Sequence, residues 1–209
     1  MFYLLLAAIA IPAYILGSVN GAIITSKNFY HKDIREYGSK NPGLTNFYRV
    51  FGKARAFLVV LIDVLKTVLP VLFGGWLLGR YCDMTLFGRE FAGLFVVLGH
   101  CFPVFYKFQG GKGVMAAGTI LLVVDWRLAL ACWGTFIVIT ALTRYVSLGA
   151  ISAGLSLPVS QFLLKMGGTK ELIIALICGM LIVARHHQNI RRLLRGEESK
   201  LKLSRKKNK

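Results

Sequence analysis

The chain has 209 residues, 56% of them hydrophobic, and a mean hydropathy of +0.61. Its long apolar runs exclude an ordinary soluble domain, and their continuity excludes a transmembrane barrel, whose strands alternate apolar and polar residues. The formal net charge of +17 would suit nucleic acid on a soluble surface. Here the charge lies between apolar runs, so no nucleic-acid partner is expected.

In chain order the apolar runs cover residues 2–24, 57–78, 91–105, Val114–Val124, 128–142, 148–164 and 172–184. A bilayer core needs about 20 helical residues. The first two runs meet that length, and the later ones are short enough to include half-helices. The fold expected is all-α: a polytopic transmembrane helical bundle of seven spans, with five as the fallback. The first run has no basic residues before it and is interrupted by Ser18 and Asn20, so it reads as a retained helix rather than a cleaved signal.

Twenty of the 26 Lys and Arg residues fall in alternate connections: Lys27 to Arg55, Lys107 and Lys112, Arg144, and Arg185 onward. Basic loops stay cytoplasmic. The N-terminus is therefore expected outside and the C-terminus inside, which requires an odd number of spans. Residues 1–196 read as one integral-membrane domain. Residues 197–209 read as a basic cytoplasmic tail drawn to anionic headgroups, with no part in catalysis. Cys82, Cys101, Cys132 and Cys178 show neither metal-ligand spacing nor an evident partner, so no metal and no disulfide is expected.

Three polar patches all fall on the basic side. The first runs from Gly38 through Ser39, Lys40, Asn41, Pro42, Gly43, Leu44 and Thr45 to Asn46, with Arg49 one turn later. Hydroxyl and amide groups around two glycines, followed by an arginine able to bind phosphate through paired hydrogen bonds, suit an anion site. An ordinary capped loop accounts for the same residues equally well. The second patch, Lys107 to Gly113, places Gly110, Gly111 and Gly113 around Lys112 where a new helix opens, which favours an anion. It is not a nucleotide P-loop, because Gly113 stands where Ser or Thr would follow the lysine. In the third, His186 and Asn189 share a helix face at the end of the last run, and a histidine there suits proton transfer near neutral pH. Ser147, at another boundary on the same side, suits either a hydroxyl added to the same site or a helix cap. Asp63 and Lys66, three apart inside the second run, read as a structural ion pair, and His100 as a residue ordering the glycine-loop turn.

Taken as an ordered series, these residues resemble the bacterial acyl-phosphate:glycerol-3-phosphate acyltransferase (PlsY) family. The likeness runs through Gly17-Ser18, Asp33-Ile34-Arg35, Gly38 to Asn46 with Arg49, Asp63 to Lys66, Gly99-His100 to Pro103, Lys107 to Gly113, Ser147-Leu148 and His186 to Asn189. Lys40 stands where glycine is usual, Leu44 where alanine is usual, and His187 and Gln188 where arginine and glutamate are common. The resemblance implies acyl transfer from a long-chain acyl phosphate to the 1-hydroxyl of glycerol 3-phosphate, giving lysophosphatidic acid and phosphate, with no cofactor. It implies a multi-pass protein of the bacterial cytoplasmic membrane, among membrane lipids, with its active site facing the cytoplasm. Ser39, Lys112, His186 and Asn189 are the expected catalytic group. Ser39, Asn41, Thr45, Asn46, Arg49, Lys107, Gly110, Gly111, Lys112, Gly113, Ser147, His186 and Asn189 are the expected substrate and phosphate contacts. No His-x4-Asp pair is present, which removes the other common acyltransferase mechanism. The alternative is a transporter or channel for a phosphorylated metabolite, but no repeated halves are visible.

Overall fold

The protein is described here by a computed structural model covering residues 1–201, and these are all helices and connecting turns. The helices are α1 (Phe2–Gly17), α2 (Gly21–Tyr30), α3 (Leu44–Phe51), α4 (Ala56–Cys82), α5 (Thr85–Cys101), α6 (Val114–Val124), α7 (Trp126–Thr143), α8 (Val146–Leu163), α9 (Thr169–Arg185) and α10 (His187–Leu194). Five stretches are long and apolar enough to cross a membrane: Phe2–Tyr30, Ala56–Cys82, Thr85–Tyr106, Trp126–Thr143 and Val146–Leu163. α6 has 11 residues and α9 has 17. At about 1.5 Å per residue, α6 is roughly half a bilayer deep.

Large apolar side chains cover much of the outer surface, as lipid contact requires. Tyr3, Leu4, Trp76, Leu130, Leu142, Phe162 and Met180 are all exposed. Inside, the helices approach through small residues, because in lipid it is close packing that holds helices together. A Cβ at Gly74 of α4 would lie 2.5 Å from the Gly88 carbonyl oxygen of α5, and one at Gly88 would lie 2.2 Å from that of Gly74. Neither position accepts a side chain without parting the two helices.

The first span is not one helix. Chain direction changes at Ser18–Asn20, and Asn20 restarts the helix by accepting the Ile23 amide on its side chain at 3.0 Å. Such a break leaves backbone groups without helical partners where water is scarce. Two ionised residues of α4 satisfy them. Lys66 Nζ donates to the Val19 carbonyl at 2.5 Å, and Asp63 Oδ1 accepts from the Gly21 amide at 3.2 Å. The two are paired at 2.8 Å and almost wholly buried. The structural ion pair expected from spacing is thus a patch for an interrupted helix. Lys66 also donates to His100 Nδ1 at 2.9 Å, which puts the proton of that imidazole on Nε2.

The connections gather at two ends. At one end Arg35 reaches the Tyr106 carbonyl, Asn20 the Pro42 carbonyl, Arg185 the 110–111 loop, and Leu201 the Arg144 carbonyl. At the other, Arg89 binds the Val123 carbonyl at 3.0 Å. The basic connections singled out in the sequence share the first end. Of the expected tail, residues 197–201 turn back against α8 and α10, and 202–209 lie outside the described residues.

Candidate functional site

The glycine loop enters the bundle instead of capping it. Gly110 and Gly111 are buried, and the Gly111 amide donates to the His100 carbonyl at 3.0 Å. A Cβ on Gly111 would lie 2.2 Å from His100 Nε2, so the imidazole is the floor on which the loop rests. Arg185, the last residue of α9, holds the loop from the other side. Its Nε and Nη2 donate to the carbonyls of Gly111 and Gly110, each at 3.1 Å, and its guanidinium lies 5.0 Å from the Phe102 ring centre. α6 then begins beside Val97 and Cys101, which lie against Gly113 (φ +79°). The helix is short because the loop occupies the depth its first turn would have filled.

This descent carries Lys112 inward. Its Nζ donates to Asn189 Oδ1 at 2.5 Å. Burial pulls its pKa down to about 8, and the charges of Arg192, Arg185 and Arg49 push the same way, against the opposing pull of Glu198. A cation so placed gains from the arrival of an anion.

Asn189 and His186 reach the site because α9 ends at His186 and α10 restarts at His187. His186 is 2% exposed, and its Nδ1 lies 2.8 Å from the Ile182 carbonyl. A carbonyl can only accept, so Nδ1 carries the proton and Nε2 keeps a free lone pair. Burial, aided by Lys112 and Arg185, pushes the pKa down to about 4 despite the bond to Ile182 and the charge of Glu198. The expectation of a histidine titrating near neutral pH is therefore corrected. At neutral pH His186 is an uncharged hydrogen-bond acceptor.

Ser147, in the first turn of α8, lies on the same cluster through Glu198, to which both Ser147 Oγ and Asn189 Nδ2 donate at 2.7 Å. Arg192 Nε donates to the second carboxylate oxygen at 2.6 Å. Arg185, Arg192 and Glu198 were not among the expected site residues. Arg192 follows Asn189 by three positions on α10 and so shares its face, which is the signal that would have found it. Glu198 carries no such signal.

The first polar patch contributes differently. Asn46 is buried, and its amide is engaged inside the patch: Oδ1 accepts from the Ser39 amide at 2.9 Å and Nδ2 donates to the Tyr37 carbonyl at 3.0 Å. Ser39, Thr45 and Arg49 are exposed, and Asn41 is half-buried. Arg49 is close enough for its charge to act on Lys112. Ser39, Asn41 and Thr45 make no side-chain hydrogen bond into the cluster among the described residues. Lys107 is exposed at a left-handed turn (φ +54°), on the rim. Arg35 ties the patch to the second one through the Tyr106 carbonyl at 3.2 Å while paired with Asp33, whose carboxyl it holds well below the usual range. Among the described residues no three His, Cys, Asp or Glu side chains are placed to hold a metal ion.

The arrangement is a half-buried cation, two amide and hydroxyl donors and a neutral imidazole acceptor, with further arginines around them. The chain as a whole is similar to proteins of one family. The glycerol-3-phosphate acyltransferase family model matches residues 7–196. The glycerol-3-phosphate acyltransferase of Photobacterium profundum is 39% identical over 204 residues, 97% of each chain. That of Methylococcus capsulatus is 42% identical over 192 residues, 90% of this chain and 92% of its own. The crystal structure of PlsY (YgiH), an integral membrane glycerol 3-phosphate acyltransferase, in its glycerol 3-phosphate form has a TM-score of 0.84 at 35% identity, covering 94% of this chain and 96% of that one. Its lysophosphatidic acid form has a TM-score of 0.81 at 34% identity, covering 94% and 95%. A family model spanning the whole bundle, relatives alike over nearly their full length and a shared fold lead to one assignment: the chain belongs to the glycerol-3-phosphate acyltransferase family.

Proposed function

We propose that this protein moves a fatty acyl group from an acyl phosphate to the 1-hydroxyl of glycerol 3-phosphate, forming lysophosphatidic acid and inorganic phosphate. The observation that carries the reading is the bridge from Lys112 to Asn189, joined to Ser147 through Glu198, with His186 near enough for the charge of Lys112 to act on it. These groups come from the glycine loop before α6, the first turn of α8, the α9–α10 junction and α10, and they meet at the basic end of the bundle. The glycerol 3-phosphate and lysophosphatidic acid forms of the similar crystal structures support the acceptor and the product.

Acyl phosphate is the donor that asks least of these residues. It is already an activated mixed anhydride, so the protein needs to align the hydroxyl and to stabilise charge on the departing phosphate. Lys112, with Arg49 and Arg192 nearby, provides positive charge for two anionic reactants. His186 Nε2 accepts the hydrogen bond of the attacking hydroxyl and orients it. With its pKa held near 4, the imidazole is too weak a base to keep the proton. The hydroxyl oxygen bonds to the acyl carbon, the acyl–phosphate bond breaks, and the proton passes to an oxygen of the departing phosphate, which leaves as hydrogen phosphate.

In this reading residues 1–196 form one membrane domain and the chain crosses the bacterial cytoplasmic membrane seven times, N-terminus outside and C-terminus inside. The catalytic end faces the cytoplasm. The acyl chain enters between helices from the surrounding lipid. The excess of Lys and Arg at one end supports that orientation. Purified protein in detergent, given radiolabelled glycerol 3-phosphate and acyl phosphate, acyl-CoA or acyl carrier protein in parallel, will make labelled lysophosphatidic acid from the acyl phosphate. Product from a thioester donor instead, or no product from any, overturns the proposal.

A further inference from the structure

Glu198 belongs to none of the three polar patches, yet its carboxylate sits in the middle of the anion-binding cluster. Oε1 accepts from Ser147 Oγ and Asn189 Nδ2, both at 2.7 Å, and Oε2 accepts from Arg192 Nε at 2.6 Å. Its charge also acts on Lys112 and on His186. The strand of chain that carries it is fixed on both sides. Gly196 (φ +71°) turns the backbone away from α10. Beyond Glu198, the Leu201 amide donates to the Arg144 carbonyl at 2.7 Å, and the Lys200 ammonium lies 5.5 Å from the Tyr145 ring centre. Residues 196–201 therefore form a strap from the end of α10 to the α7–α8 turn, and the carboxylate hangs beneath it into the site.

Such a carboxylate could act as a base or as a stand-in for an anion. The donors around it decide the matter. Both oxygens are already engaged by protein groups, and these bonds outweigh burial and keep the carboxyl below its usual range, so it is a poor proton acceptor. As a stand-in it is well matched. Two oxygens of one negative group accept from a hydroxyl, an amide and a guanidinium, as two oxygens of a phosphate would.

We infer that Glu198 is an internal occupant of the phosphate pocket, and that glycerol 3-phosphate must displace the strap in order to bind. The inference rests on the reading of Ser147, Asn189 and Lys112 as phosphate contacts. One carboxylate and one phosphate ester cannot share the same donors, so strap and substrate are mutually exclusive. The apparent affinity for substrate is then reduced by the fraction of molecules whose pocket is open.

The test uses the full chain in detergent and the isosteric variant Glu198→Gln, which removes the charge and keeps the shape. The KM for glycerol 3-phosphate is expected to fall about tenfold, the population ratio that one charge-assisted bond sustains. kcat does not fall. Inorganic phosphate, as a competitive inhibitor, gains affinity by the same factor. A chain ending at Gly196 gives the same shift in KM, which separates the carboxylate from the charge of the rest of the tail.

Hydrogen exchange at the Leu201 amide reads the strap directly. It is expected to quicken in the native chain on addition of glycerol 3-phosphate, and to be fast in Glu198→Gln without it. Unchanged exchange and unchanged KM in that variant overturn the strap itself. Fast exchange in the variant, with no response of the native chain to glycerol 3-phosphate, overturns the competition and locates the error in the phosphate assignment of the pocket.

Discussion

Replacing Lys112 by methionine keeps the apolar stem and deletes the ammonium that donates to Asn189 at 2.5 Å. If that ammonium meets a substrate phosphate, the variant loses one charge-assisted hydrogen bond in a largely dehydrated place. Such a bond is worth about 1.5–3 kcal/mol, and at about 1.4 kcal/mol per decade kcat/KM should fall roughly 10- to 100-fold. The pH profile makes the prediction more specific. The folded protein holds the pKa of Lys112 near 8, below the ordinary lysine value, because burial disfavours the charged form. The cation is therefore complete at pH 7 and is lost as pH rises through about 8, so kcat/KM declines on the alkaline side from that point. A bound phosphate dianion favours the cation, and the corresponding limb of kcat lies at higher pH. For folding the sign is opposite: the buried cation is a destabilising feature below about pH 8, and it is relieved as pH climbs toward the ordinary lysine value. The assay is incorporation of labelled glycerol 3-phosphate between pH 6 and 9.5, with thermal unfolding as the control. A folded Lys112→Met protein that retains native kcat/KM, or that keeps the alkaline limb, refutes the anion role.

Three further outcomes follow from packing. Gly111→Ala places a methyl group 2.2 Å from His100 Nε2; overpacking against a ring held by Lys66 destabilises by about 1–3 kcal/mol, visible as a lower Tm in detergent together with reduced turnover. Lys66→Met leaves Asp63 charged and unpaired inside the bundle, a loss of about 3–5 kcal/mol, while Asp63→Asn combined with Lys66→Met loses less than the single lysine change in the same unfolding measurement. Lys40 sits at φ +58°, where a Cβ is unfavourable by about 1–2 kcal/mol. Lys40→Gly relieves that strain and should raise Tm by about 2–8 °C without changing kcat.

Which parts of the fold could be read from sequence depended on where polar residues find their partners. The run at Val114–Val124 coincides with α6, because the glycines before it and Asp125 after it are local stops. The run beginning at residue 91 does not coincide with α5, which starts at Thr85. Arg89 and Glu90 interrupt its apolar pattern, yet both find partners on other helices. Arg89 donates to the Val123 carbonyl, and Glu90 accepts from Gln161 of α8 at 3.0 Å. The break within the first run was visible as Ser18 and Asn20, but the residues that make it tolerable, Asp63 and Lys66, lie more than 40 positions away. The site divides in the same manner. Lys112, His186 and Asn189 announce themselves by charge or imidazole beside glycines and at a helix end. Arg185 acts on backbone carbonyls, which carry no sequence signature. Glu198 lies in a polar stretch that looks solvated until its donors are seen.

The positions that depart from the expected motifs lie outside the cluster around Lys112. His187 and Gln188 lie beside His186 and Asn189 in sequence, but α10 turns them outward, and both are exposed. Lys40 is likewise exposed, in a left-handed turn that glycine would adopt without strain. Leu44 is half-buried in the first turn of α3, against the apolar cluster of Phe47 and Ile34 and away from Lys112. The groups that meet at the pocket hold their positions through contacts that tolerate little change. Lys112 is set by two glycines pressed on His100, Asn189 by the Lys112 ammonium, and His186 by the Ile182 carbonyl. His100 in turn rests on Lys66, which closes the gap in the first span. A continuous line of contacts thus runs from the interruption at Ser18–Asn20 to the ammonium in the site. The buried ions thereby keep the floor of the loop in place.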